Sequence, residues 1–180
     1  AHCNEIILYP YWNVPKSIAT KELLPRIKRS PGVIDAMNMQ LIDSKGHIVN
    51  HYQVNWSKYS RNYFPFQLRQ STGCDNSLGV IKFNLTDPFS VYLHDTNAKK
   101  LFESKHRYYS HGCIRVEKAL DLADNMLPNK LDTGFLKACI EGQRPVSIPV
   151  NSIVPVFVIY SLAEADRHSI IYYADVYHLF

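Results

Sequence analysis

The sequence predicts a single α+β domain that is mainly β and carries one inserted region. Its 180 residues, 46% hydrophobic and 20% charged, are typical of one globular domain. Short β-prone runs bounded by turns outnumber the stretches in which apolar residues recur at helical spacing. Residues 17–78 lack a strong period and are rich in turns and aromatic side chains. We therefore interpret them as an insertion between core strands that forms a cover or lid.

Composition excludes several classes of function. The chain has 20 basic and 16 acidic residues, and the resulting net charge of +4 is too small and too scattered to indicate nucleic-acid binding. No apolar stretch reaches the roughly 18 residues that a membrane span needs, and the first residues do not form an export signal. The four cysteines are too widely spaced for a disulfide scaffold, but whether Cys3, Cys74 and Cys139 form disulfides is left open.

The first half of the chain predicts few regular elements. A short β-prone run at residues 5–8 precedes a proline-bounded aromatic stretch, residues 9–15, that we expect to be extended. Residues 17–30 have helical character, and Pro25 is expected to split them into two short helices. A helical turn at residues 33–37 and a hairpin over residues 39–49 complete this part.

The second half has stronger signals. Residues 79–85 and 90–94 predict two strands joined by a turn at Asp87-Pro88. Two helices are predicted at residues 116–127 and 133–141, the second with Cys139 as a buried apolar residue. A strand at residues 145–150 follows. The chain then ends in a predicted hairpin, with strands over 154–162 and 169–176.

One short segment combines the groups that acyl transfer requires, and its sequence is Ser110-His111-Gly112-Cys113-Ile114-Arg115. The Cys113 thiol is a candidate nucleophile, and Gly112 allows the backbone N–H groups to approach a substrate carbonyl as an oxyanion hole. A helix is predicted just after Cys113, where its positive dipole end would favour the thiolate. The alternative is a buried structural cysteine.

Two histidines are candidates for the base. His94 lies on a predicted strand with Tyr92 on the same face, and Asp95 is the nearest partner that could orient its ring. We therefore favour His94 as the base and His111 as a group that shapes the oxyanion side. Arg115 suits a substrate carboxylate, although an exposed arginine in a salt bridge is an equally good interpretation.

A zinc site is the competing interpretation of the same residues. His94, His111 and Cys113 could supply three ligands. The sequence lacks a second paired motif such as CxxC or HExxH, and a Gly-Cys pair before a helix suits a nucleophile better. We therefore expect no metal.

His94 followed by Ser110-His111-Gly112-Cys113 resembles the signature of the L,D-transpeptidase catalytic domain, of YkuD type. The resemblance covers nearly the whole chain and includes Asn76-Ser77-Leu78-Gly79. It points to the large Gram-negative members that carry a lid insertion. The family implies a mixed β-sandwich or barrel with helices packed on it. Residues 1–180 would be one catalytic domain with residues 17–78 as the lid, and the first strands of the family domain are expected to be absent.

The resemblance also implies a reaction. A cysteine thiolate attacks the bond between an L-centred diamino acid and D-Ala in a peptidoglycan tetrapeptide, releases D-Ala, and passes the acyl group to an amine of a second stem in a 3→3 cross-link. The family uses no cofactor, is acylated by carbapenems, acts in the periplasm, and serves cell-wall biogenesis and cell shape. The implied catalytic residues are Cys113, His94, His111, Gly112 and Asp95, and the implied substrate-binding residues are Arg115, Tyr92 and Ser110. The alternatives are an L,D-carboxypeptidase, which uses water as acceptor, and an inactive domain that binds cell-wall glycopeptide.

Overall fold

The structure is a computed structural model that describes residues 1–87, 89–138 and 142–180. Strands form most of its regular elements, and they are β1 (His2–Leu8), β2 (Trp12–Asn13), β3 (Met39–Ile42), β4 (Gln67–Gln70), β5 (Ile81–Leu85), β6 (Tyr92–His94), β7 (Ile114–Arg115), β8 (Val146–Pro155), β9 (Ala163–Ala165) and β10 (Ile170–Tyr172). The α-helices are α1 (Lys16–Ile18), α2 (Leu24–Arg29), α3 (Val33–Ala36), α4 (Ala119–Met126) and α5 (Thr133–Lys137). Short 3₁₀ turns lie at His51–Gln53, Trp56–Lys58 and Lys99–Glu103.

A five-stranded sheet in the order β7-β6-β5-β1-β8 forms the main body. Its paired strands are antiparallel except β6 and β7, which are parallel. Because side chains alternate along a strand, Ile6, Ile81 and Phe83 share one face of this sheet. All three are fully buried in one hydrophobic cluster with Ala119 and Ala123 of α4. Each such large side chain contributes about 1.5–3 kcal/mol of burial, so this face anchors the sheet.

The opposite face of the same sheet is polar. The cross-strand register places Asn84 beside Tyr92, Lys82 beside His94, and His94 beside Arg115. These side chains come from β5, β6 and β7, and the other faces of β5 and β6 pack in the core. The alternation of apolar and polar residues in these strands therefore separates a core face from a face that carries chemically active groups.

Residues 12–70 build a second unit with its own hydrophobic cluster, which includes Ile27, Leu41, Trp56 and Leu68. Its sheet has the order β2-β4-β3. The expected break at Pro25 is replaced by a π-helical turn, Ala19–Leu23, between α1 and α2. A proline removes one N–H donor and crowds the preceding turn, and the wider π turn accommodates both effects. We call this unit the cap region; the prediction that residues 17–78 act as a lid stays a prediction.

The predicted fold class is confirmed, since the chain is a mainly β α+β structure with helices packed on its sheet. The described residues contain no closed barrel. The predicted strand at residues 154–162 is wrong beyond Pro155, and the terminal hairpin is shorter, with β9 and β10 as its strands. An apolar run forms a strand only where a partner strand pairs with it.

Some predictions fall on positions 88 and 139–141, outside the described residues: the second half of the Asp87-Pro88 turn and the end of the second helix with Cys139. Cys74 is disulfide-bonded, whereas Cys3 is a buried free thiol. In the part of the chain that the structure describes, no helix has the length and apolar character to cross a bilayer.

Candidate active site

His94 lies at the end of β6 and is only 4% exposed. Its Nδ1 is hydrogen-bonded to the backbone carbonyl of Asp95. A carbonyl oxygen can only accept, so Nδ1 carries the hydrogen and Nε2 is left with its lone pair. Burial lowers the pKa of His94, and the positive charges of Arg115 and Lys82 lower it further against the opposing effect of Asp95. His94 is thus poised as a neutral base.

Asp95 is held in place by its own set of contacts. Its carboxylate accepts a hydrogen bond from the Val80 N–H at 3.1 Å and forms an ion pair with Lys99. Gly79 has a φ of +59°, and a Cβ at this position would collide with the Asp95 carboxylate and lie 2.7 Å from the Thr96 N. Only glycine therefore permits this close approach, which fixes the carbonyl that orients His94.

Cys113 is a partly exposed free thiol that lines a cavity of about 1100 Å³. The other side chains of this cavity are mostly aromatic and aliphatic, among them Phe102, Tyr108 and Val156. The register between β6 and β7 pairs Leu93 with Ile114 and His94 with Arg115, so Cys113 directly precedes β7 and lies two positions before the residue that pairs with His94. The predicted nucleophile therefore lies next to the start of β7, the strand that pairs with the strand of the predicted base.

The expectation that Cys113 lies at a helix N-terminus is wrong. Residues Ile114–Arg115 form β7, and α4 begins only at Ala119. The helix dipole acts over about one turn, so it is too remote to favour a thiolate at Cys113.

Tyr92 is the near neighbour of the thiol. Burial raises the pKa of the Tyr92 phenol, and the charge of Cys113 and a hydrogen bond with it raise that pKa further. The centroids of the Tyr92 and His94 rings lie 5.8 Å apart, and the rings meet edge to face. The side chain of Trp12, in the cap region, interacts with the same phenol and lowers its pKa. The cap region therefore reaches the site at Tyr92.

The loop before Cys113 contains the other predicted residues. Gly112 has a φ of +138°, and no atom lies within 4 Å of the position its Cβ would take. Its N–H donates to Ser110 Oγ at 3.3 Å. His111 Nε2 lies 2.7 Å from Glu22 Oε1 of the cap region, and both side chains are exposed. The His111 ring is thus engaged with the cap region rather than with the thiol.

Arg115 lines the same cavity as Cys113. Its Nε is buried and has no hydrogen-bond partner among the described residues. A buried guanidinium donor without a partner is costly, and it matches the geometry of a carboxylate acceptor. The site therefore offers an anion-binding group beside the nucleophile.

Three residues of the site were missed in the sequence: Lys82, Trp12 and Glu22. For Lys82 the signal is the alternation in Ile81-Lys82-Phe83-Asn84, which places two polar side chains on one face. The contacts of Trp12 and Glu22 have no such local signal, because they depend on how the cap region packs. Across the described ranges, no group of three His, Cys, Asp or Glu side chains could hold a metal ion.

Comparison with known proteins identifies the family. A model of the L,D-transpeptidase catalytic domain (YkuD) matches residues 2–148. A Haemophilus influenzae protein named "Putative L,D-transpeptidase" is 34% identical over 175 residues, which are 97% of this chain and 35% of that protein. The chain thus spans about a third of the length of this relative. Because the family model covers most of the chain and includes Cys113 and His94, the chain belongs to the L,D-transpeptidase catalytic domain family.

Proposed function

We propose that this chain is a cysteine acyltransferase that performs L,D-transpeptidation on peptidoglycan stem peptides. The observation that carries the proposal is a free thiol, Cys113, at the wall of a large cavity and next to the strand that holds a buried imidazole, His94. The Asp95 carbonyl fixes the tautomer of that imidazole so that Nε2 can accept a proton.

The first half of the reaction forms a thioester. His94 takes the proton of the Cys113 thiol, and the thiolate attacks the carbonyl between the L-centred diamino acid and D-Ala. Backbone N–H groups around Gly112 stabilise the oxyanion, since the open space at this glycine admits the carbonyl. The tetrahedral intermediate then collapses, the C–N bond breaks, and His94 returns the proton to the leaving D-Ala amine.

The second half transfers the acyl group. An amine of a second stem attacks the thioester, gives its proton to His94, and releases the Cys113 thiolate with a new amide bond. Arg115 holds a stem carboxylate through the donor that is unpartnered among the described residues. Tyr92 and Ser110 line the donor path in this proposal. We place the activity in the periplasm, because the substrate lies there, with cell-wall biogenesis as its role.

Carbapenem acylation tests the activated thiol. Intact-protein mass is measured after incubation with a carbapenem, with Cys113→Ser as the loss-of-nucleophile variant. The matched control is Cys3→Ser, which removes a second free thiol of the described residues, buried in the core. We expect one covalent adduct on the parent and on Cys3→Ser, and none on Cys113→Ser. An unmodified parent that is folded by circular dichroism contradicts the proposal.

The acceptor is tested with a tetrapeptide stem in the presence of a second stem amine. A cross-linked product that has lost one D-Ala supports the transpeptidase. A tripeptide as the main product indicates instead an L,D-carboxypeptidase, in which water replaces the amine. Binding of the stem without release of D-Ala indicates a domain that only binds glycopeptide.

A further inference from the structure

Lys82 lies at the centre of the polar face described above. It is opposite His94 in the β5–β6 register, and Arg115 is on the other side of His94 in the β6–β7 register. Paired residues share a face of the sheet. The imidazole is therefore flanked across the sheet by one lysine and one arginine.

The ammonium group of Lys82 has a defined contact. Its Nζ lies 4.3 Å from the centroid of the Tyr92 ring, a cation–π geometry. The Cys113 thiol interacts with the phenol group of the same ring and raises the pKa of that phenol. The ring therefore holds a positive charge close to the sulfur, in the absence of a nearby helix terminus.

The carboxylate of Glu5 and the charge of Cys113 favour the protonated form of Lys82. Glu5 of β1 faces it from one side, and this carboxylate accepts hydrogen bonds from Asn84 and Ser147. These hydrogen bonds, first that of Ser147 and then that of Asn84, lower the pKa of Glu5, so Glu5 is anionic at neutral pH. Among the described residues, Tyr92, His94 and Cys113 also face Lys82, and Arg115 lies beyond His94 in the next strand.

We propose that Lys82 is a positioning residue whose ammonium group, held over the Tyr92 ring, favours the Cys113 thiolate and the uncharged form of His94. The inference rests on the proposed function, in which these two residues are nucleophile and base. A nearby cation stabilises an anion and disfavours a second cation. The charge of Lys82 therefore favours both the nucleophilic thiolate of Cys113 and the neutral form of His94 that can accept a proton.

The electrostatics of the individual groups agree with this geometry. Burial lowers the pKa of Lys82, while the charges of Cys113 and Glu5 oppose that effect. The charge of Lys82 is one of the causes that lower the pKa of His94. Lys82 therefore interacts with both members of the proposed Cys–His pair, and removing its charge should move the pH profile of Cys113 alkylation to higher pH.

The test measures the rate of Cys113 alkylation by iodoacetamide as a function of pH, followed by intact mass, with Cys113→Ser as the background. The variants are Lys82→Met and Lys82→Arg. The charge-matched control is Lys130→Met, because the Lys130 side chain is 80% exposed. Lys82→Gln replaces the methionine variant if that variant does not fold.

For Lys82→Met we expect the midpoint of the pH profile of alkylation to rise by about one pH unit. This is the low end of the effect expected from a charge within about 4–6 Å. At a pH below the midpoint, the variant should therefore be alkylated about ten-fold more slowly than the parent. Lys82→Arg should restore the parent profile and Lys130→Met should leave it unchanged. A folded Lys82→Met with the parent midpoint overturns the inference, as does an equal shift in Lys130→Met.

This assay needs no substrate, so it separates the inference from the proposed function. If carbapenem acylation fails while the alkylation midpoint shifts with Lys82, the transpeptidase proposal is lost and the effect of Lys82 on the thiol stands. If acylation succeeds and the midpoint does not shift, the function stands and the role of Lys82 is lost.

Discussion

Replacing Gly79 by alanine tests how the site is assembled. Gly79 has a φ of +59°, and its missing Cβ leaves room for the Asp95 carboxylate and the Thr96 backbone. Gly46, in the turn after β3, also has a left-handed backbone, with a φ of +87°, but nothing lies within 4 Å of its Cβ position. Gly46→Ala is therefore a control that reports backbone strain alone.

The expected magnitudes differ between the two variants. A left-handed conformation costs an alanine about 1–2 kcal/mol, and this applies to both positions. Gly79→Ala adds the cost of overpacking against buried backbone, about 1–3 kcal/mol. We therefore expect a total loss of about 2–5 kcal/mol at Gly79, a large part of the stability of a domain of this size.

The measurement is the free energy of unfolding in urea for parent and both variants. The rate of carbapenem acylation of Cys113 is measured in parallel. Gly79→Ala should slow it more than Gly46→Ala, because a displaced Asp95 misplaces the carbonyl that orients His94. If both variants lose the same free energy to within about 0.5 kcal/mol, the close packing of Gly79 against Asp95 is refuted.

Three further predictions follow from the site and its supports. Burial and the nearby cations lower the pKa of His94, so the rate of carbapenem acylation should fall on acidification with a midpoint below pH 6.5. A midpoint above pH 6.5 would contradict a buried neutral base. Glu22→Ala should increase hydrogen exchange in the loop that carries His111. Global stability should fall by less than about 1 kcal/mol, because the pair of Glu22 and His111 is exposed. Unchanged exchange would show that the contact does not hold the loop. Asn76→Ala should lower the free energy of unfolding in urea by about 3 kcal/mol, because the Asn76 side chain is fully buried and makes three hydrogen bonds to backbone groups. The control is Asn97→Ala, at an exposed position, which should cost little. Equal losses would refute the role of Asn76.

The local sequence pattern was sufficient to predict which side chains share a face within one strand. Alternation in residues 90–94 placed Tyr92 and His94 on one face and Leu93 on the other, and Leu93 does pack against the core. The same pattern could not show that Lys82 is opposite His94, because cross-strand register depends on how two strands pair. Lys82 therefore became visible only in the folded sheet.

Some local signals were overridden by packing. The apolar run after Pro155 has strong β character, yet a strand requires a partner for its backbone hydrogen bonds, and β8 ends there. The helix predicted directly after Cys113 begins only at Ala119, because residues Ile114–Arg115 pair with β6 instead. Tertiary pairing decided both cases.

The sequence by itself determined the candidate catalytic groups of this protein: the order of thiol, glycine and imidazoles, and the alternation that gives β5 and β6 one apolar and one polar face. Those features depend on residue type and on the two-residue period of a strand, which neighbours along the chain already define. Tertiary structure alone decided the electrostatic setting of Cys113. The sulfur has Lys82 and Tyr92 near it rather than a helix end, and His111 contacts Glu22 of the cap region. Such contacts join residues far apart in the chain, so they are set by strand register and by how the cap region packs.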